Sequence, residues 1–159
     1  MKQPKAERPV MPGYGIKDKN SGKGLLPWKW AVERLTDERN YFLTTVRPDG
    51  RPHVMPIWGV WLNNAFYFST GKTSVKARNL TNNRNCSLCP GGTEEAVIVE
   101  GVAAKLRDKT VRRKFNAAYL KKYDFDVSGM NEPIYVLRPR VVFGQIEKSY
   151  TESATRWRF

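Results

Sequence analysis

The spacing of apolar positions changes period several times along the chain, and each change marks an element. Over Trp28–Asn40, Trp30, Val32 and Leu35 recur beside Arg34 at helical intervals, predicting a helix with a mixed face. From Tyr41 the pattern becomes extended: Tyr41–Val46, the turn Arg47-Pro48-Asp49-Gly50, a run Pro52–Leu62, the turn Asn63-Asn64, and Ala65–Ser69. Pro48 presets φ for its turn, Gly50 tolerates positive φ, and an Asn pair suits a two-residue hairpin, so three antiparallel strands follow in order. Thr73–Asn83 reads as a short helix with Val75, Ala77 and Leu80 turned to the core. Strands return at Cys86–Cys89 and Ala96–Leu106, and Asp108–Tyr123 carries a helical stripe of Val111, Phe115, Ala118 and Tyr119. The pattern closes with strands at Pro133–Leu137 and Val141–Lys148 and an extended run Thr155–Phe159. There is no internal repeat.

Residues 1–27 are rich in Pro, Gly and Lys and predict an arm without regular structure. Tyr14, Leu25 and Leu26 would dock that arm on the core or on a partner subunit. Residues 28–159 then form one α+β domain, mainly antiparallel β, whose sheet curls into a small barrel. A length of 159 residues suits a single core.

The formal charge of +13 favours anionic partners without choosing among phosphorylated cofactors, nucleic acids and acidic lipids. Cys86 and Cys89 are the two cysteines, and residues 1–29 hold no apolar run of a secretory or membrane kind, which predicts a cytoplasmic protein. The C-x-x-C spacing lacks the further ligands that a structural zinc site needs, and in a strand it turns the two thiols to opposite faces. The cations of the third helix, Arg112, Arg113, Lys114, Lys121 and Lys122, read as a solvated face. Gly13-Tyr14-Gly15 and Gly22-Lys23-Gly24 lack the third Gly and the strand–helix context of a dinucleotide loop.

Candidate chemistry gathers where the third strand ends. From Ser69 to Arg78 the chain passes through hydroxyls and Gly71 into a basic helix start. Free N–H groups at a helix N-terminus, the hydroxyls of Ser69, Thr70 and Ser74, and the charges of Lys72, Lys76 and Arg78 offer donors to one anion, a phosphate above all.

The run Tyr41–Trp58 followed by Phe66–Leu80 resembles the pyridoxamine 5′-phosphate oxidase-like family of flavin and deazaflavin oxidoreductases. The tail, Arg140–Gln145 and Arg156-Trp157-Arg158-Phe159, is similar to the family's last two strands. The resemblance implies a six-stranded split β-barrel with flanking helices that forms a homodimer and binds FMN at the seam, the deazaflavin F420 being the alternative. It implies that His53, Val54, Met55, Pro56, Ile57 and Trp58 run beside the ring system. Phe68, Ser69 and Thr70 match the end of the next strand, Ser74 and Lys76 the phosphate pair, and Arg158 a cofactor-contacting arginine, with Lys72 a nearby cation.

The oxidases that act on pyridoxamine phosphate carry Arg-x-His in the last strand, where this chain has Arg156-Trp157-Arg158. The implied activity is therefore an oxidoreductase acting on some other small organic substrate. His53, the sole histidine, is read as structural or ring-contacting, since hydride chemistry resides in the flavin. No catalytic side chain is assigned. A flavin-binding module without turnover is the competing reading. A basic nucleic-acid-binding barrel is disfavoured, because Trp58, Trp61, Tyr67 and Phe68 are expected in the core or pocket. Membrane contact is not expected.

Overall fold

The computed structural model describes residues 3–16 and 23–159. The rest of the predicted arm, residues 1–2 and 17–22, lies outside the described residues. Helix α1 (Trp28–Asp37) buries Trp28, Ala31 and Leu35, one stripe at helical spacing. Trp28 meets Trp157 and Trp61 edge-on at 5.4 and 6.2 Å. The helix stops at Asp37, short of the expected Asn40, because the Glu38 carboxylate takes the N–H groups of Arg39 and Asn40 into a turn.

Strands β2 (Tyr41–Val46) and β3 (Pro52–Ile57) form the first hairpin, with Gly50 at φ 84°. The predicted run Pro52–Leu62 is two strands, since β4 (Gly59–Leu62) begins after a bend at Trp58. At that bend the Tyr123 hydroxyl lies 2.9 Å from both Gly59 N and Gly59 O, drawing the backbone away from the β2 ladder. Gly59 is required there, for a Cβ would stand 2.3 Å from the Phe66 ring. β4 turns through Asn63 and Asn64, both at positive φ, into β5 (Ala65–Ser69).

Helix α2 (Val75–Asn82) leads to β6 (Asn85–Pro90), β7 (Glu95–Lys105) and helix α3 (Lys109–Tyr123), which the Asp108 carboxylate caps. The two strands expected near the C-terminus are one, β8 (Ile134–Ile146). Pro139 lacks a ladder donor but sits at a register shift opposite Gly101, where Arg140 is the extra residue and the missing bond costs little. Before the shift β8 pairs with β5, and after it with β9 (Thr155–Arg158), which follows a short helix α4 (Tyr150–Ser153).

All nine strands among the described residues join in antiparallel pairings. Counting β3 and β4 as one bent strand, the circuit β2, β3–β4, β5, β8, β7, β6 is the six-stranded split barrel. Tyr41, Leu43, Phe66, Phe68, Val97, Val99 and Leu137 fill it, and α3 lays Phe115, Tyr119 and Tyr123 on its outside against Val60, Tyr67 and Val136.

The arm is partly ordered onto this frame. A strand β1 (Lys5–Glu7) pairs with β9, and the buried Arg8 guanidinium donates to Lys23 O, Glu152 O and Ala154 O. Leu26 is buried in the core, whereas Tyr14 stays exposed with its ring 6.2 Å from Tyr150. Among the described residues no helix is long and apolar enough to cross a membrane.

Candidate functional site

The N-terminus of α2 is shaped by Ser74, whose hydroxyl accepts the Ala77 N–H at 3.2 Å and lies 3.1 Å from the Thr70 hydroxyl. An N-cap hydroxyl satisfies one of the free donors of a first turn and leaves others pointing outward. Lys76, in that first turn, is part-buried, and burial holds its ammonium below the ordinary lysine range. On the facing strand His53 is half-buried with Nδ1 enclosed and without a partner. Burial, then the charges of Arg47 and Lys76, hold its imidazole below the usual range, so it is neutral at physiological pH. These interactions bring β3, the β2–β3 turn and α2 into one polar corner.

Two residues beneath that corner were not singled out from the sequence. Asn79 Nδ2 donates to Thr45 Oγ1 at 2.9 Å, and Thr45 Oγ1 lies 3.5 Å from His53 O. Both side chains are buried. Alternation gives the signal, because Thr45 occupies the inward register of Tyr41 and Leu43, where a polar side chain needs a polar mate.

The rest of β3 is open. Among the described residues it pairs only with β2, so alternate backbone groups on its other edge lack ladder partners. Val54, Met55 and Pro56 are exposed and Ile57 is half-buried. Trp58 is 40% exposed, stacks on Tyr123 at 4.7 Å and donates from its indole to Asn40 Oδ1 at 3.0 Å. An aromatic plate thus ends an apolar strip beside the polar corner.

The other candidates divide. Ser69 Oγ donates to Pro133 O at 3.2 Å, while Lys72 is exposed and its backbone N–H donates to the Glu132 carboxylate at 2.6 Å. Phe68 is fully buried and stacks on Tyr135, so its ring serves the core and only its backbone borders the corner. Arg158 is elsewhere in this chain. Ser69 pairs with Ile134 at the start of β8 and Arg158 with Val141 further along, a separation on the order of 20 Å at strand rise. Arg158 instead donates to Glu7 at 2.7 Å, and Arg156 reaches the same carboxylate at 2.6 Å. Those bonds, Arg158's first, hold Glu7 below the usual carboxylate range despite its burial.

Cys86 is buried and Cys89 half-buried on the opposite face of β6, and both are free thiols. Among the described residues no cluster of metal-ligating side chains occurs.

A closed antiparallel circuit with a bent edge strand and a hydroxyl-rich turn entering a short helix defines the split-barrel class. A protein-family model described as pyridoxamine 5′-phosphate oxidase matches residues 29–145, and the chain belongs to that family. Among solved structures it is similar to general stress protein 26 of Bacillus anthracis str. Sterne, at 24% identity and TM-score 0.61, over 75% of this chain and 94% of that one. It is also similar to an F420 reductase, at 24% identity and TM-score 0.57, over 69% and 93% of the two chains. The heme storage protein of Vibrio cholerae matches at 20% identity and TM-score 0.57, over 70% and 86%. These likenesses establish the fold. No curated protein matches the chain in sequence.

Proposed function

We propose that this chain is a flavin-dependent oxidoreductase that binds FMN and acts on a small organic substrate other than pyridoxamine phosphate. The observation that carries this reading is the corner itself: Lys76 is part-buried in the helical turn that Ser74 caps, the Ser74 and Thr70 hydroxyls meet, and His53 Nδ1 is enclosed without a partner among the described residues. A phosphorylated ring cofactor fits these groups. Its phosphate would take the hydroxyls of Thr70 and Ser74, the first-turn N–H groups and the Lys76 charge, with Lys72 near the rim. Its ring would lie along His53–Trp58, using the open backbone edge of β3 and the apolar surfaces of Met55 and Ile57, which share the face of His53. When bound, FMN supplies the two-electron chemistry, and the protein's task is to hold and orient it. His53, neutral at physiological pH, would act as a hydrogen-bonding group.

A homodimer completes this reading. Phe42 and Val54 lie exposed on the outer face of β2–β3, an apolar surface suited to a second copy. Across that seam a second copy would bring its Arg158 to the cofactor, which accounts for the distance between Arg158 and Ser74 within one chain. The absence of histidine from β9 supports a substrate other than pyridoxamine phosphate.

The deazaflavin coenzyme is the second reading, favoured by the charge of +13, which suits an acidic tail. Titration with FMN and with riboflavin, which lacks the phosphate, tests the site. FMN should bind at least about a hundredfold more tightly, the worth of two charge-assisted hydrogen bonds. Equal affinities would show that no phosphate is held at this corner.

A further inference from the structure

The cavities of the molecule differ sharply in charge. The cleft between α1 and the β6–β7 connection sets Glu33, Asp37, Glu38, Glu94 and Glu95 against Arg34 and Arg39. A smaller cavity of about 350 Å³, where the barrel opens beneath the C-terminal end of α2, is lined by Arg84, Lys105 and Arg107 and by no carboxylate among the described residues. Leu80 and Ala103 form its apolar floor and Tyr135 one wall.

The barrel places these cations. Lys105 continues the inward-facing row of Val97, Val99 and Ala103 one step beyond the last apolar side chain. Its cross-strand partner is Tyr135, whose ring is fixed by stacking on Phe68 at 5.4 Å and 13°. The Tyr135 hydroxyl has no hydrogen bond among the described residues, and burial raises its pKa, so it remains a donor at neutral pH. Arg84 is tethered where its carbonyl accepts the Ala103 N–H at 2.8 Å, and the bond from Leu106 N to Ile134 O, also 2.8 Å, fixes the chain between Lys105 and Arg107.

None of the three cations has an ion pair or a side-chain hydrogen bond among the described residues. Asp108, next to Arg107, is spent on the N–H groups of Thr110 and Val111. Three like charges around one concavity repel each other, and a multivalent anion would relieve that repulsion while gaining charge-assisted bonds. A half-open concavity of this volume matches a small molecule in size.

We infer that the mouth of the barrel beneath α2 is a binding site for a small polyanion carrying two or more phosphate or carboxylate groups, distinct from the Thr70–Ser74–Lys76 corner. Inorganic pyrophosphate is the probe, titrated calorimetrically into the full chain at low salt. The Lys76→Ala background weakens the corner, so that the remaining binding reports the mouth. Pyrophosphate should bind Lys76→Ala, and adding Arg84→Ala with Lys105→Ala should weaken it by at least about a hundredfold, on the order of tenfold for each charge. These side chains are exposed, so the variants keep their fold, as circular dichroism would verify. Citrate titrated in parallel separates a carboxylate from a phosphate ligand by which binds more tightly. Failure of both probes to bind Lys76→Ala, or unchanged affinity for both in the triple variant, would overturn the inference.

Discussion

Lys76 and Lys122 both lose proton affinity through burial, yet they have different roles. Lys76 has no side-chain hydrogen bond among the described residues and sits in the first turn of α2, whereas Lys122 donates to Thr36 O and to the Tyr41 hydroxyl at 2.9 and 2.7 Å. Lys76→Ala should weaken FMN retention by about 1.5–3 kcal/mol, the worth of a hydrogen bond to a charged group, as read by fluorescence titration. Lys122 is pushed down to about 8 by burial, against the opposing pull of Glu38 and Asp37. Between about 8 and the ordinary lysine value the unfolded chain binds more protons than the folded one, so Lys122 makes stability rise with pH across that window. Urea unfolding at pH 7.5, 8.5 and 9.5 should show this rise, and Lys122→Met should flatten it. An identical slope in the variant would show that this amine is not the source. Ser74 and Lys76 were legible in the sequence because cap and charge sit within one helical turn. Thr45 and Asn79 were not, because their meaning depends on a contact between elements 34 residues apart. Thr45→Val leaves the buried Asn79 amide without its acceptor and should cost about 1–3 kcal/mol in chemical denaturation.

At the scale of elements, the bend at Trp58 separates the half of the strand that offers the candidate ring surface from the half that closes the barrel. Gly59→Ala would force a Cβ to within 2.3 Å of Phe66 and 2.5 Å of Tyr67 O. It should lower stability by about 1–3 kcal/mol and weaken cofactor binding with it, whereas a fully stable variant would mean that the bend tolerates a side chain. Hairpin turns and helix stripes were readable from local chemistry, as Asn63-Asn64 and the Phe115–Tyr119 stripe illustrate. The split of Pro52–Leu62 was not readable, since it depends on the Tyr123 hydroxyl reaching Gly59 from α3. The fusion of Pro133–Leu137 with Val141–Lys148 was equally hidden. Pro139 reads locally as a break, and only the partner strand's Gly101 turns it into a register shift inside one continuous strand. The three-residue strand at Lys5–Glu7 depends on β9 for its ladder and has no period of its own.

The whole molecule joins a closed barrel, an open strand edge with exposed apolar side chains, and a cationic corner without a hydrogen-bond partner for Lys76 or His53 Nδ1 among the described residues. Dimerisation through β2–β3 would cover Phe42 and Val54, so Phe42→Asp with Val54→Asp should yield a monomer by sedimentation and lose cofactor along with the second copy. A dimer that persists in this variant would place the interface on another face. A flavin phosphate held at the start of α2 is read most directly from the absorption spectrum of the protein as purified. The spectrum should show the two visible bands of an oxidised flavin, released as FMN on denaturation and diminished in Lys76→Ala prepared in the same way. The single intense band of a heme, or flavin retained undiminished by Lys76→Ala, would contradict that placement.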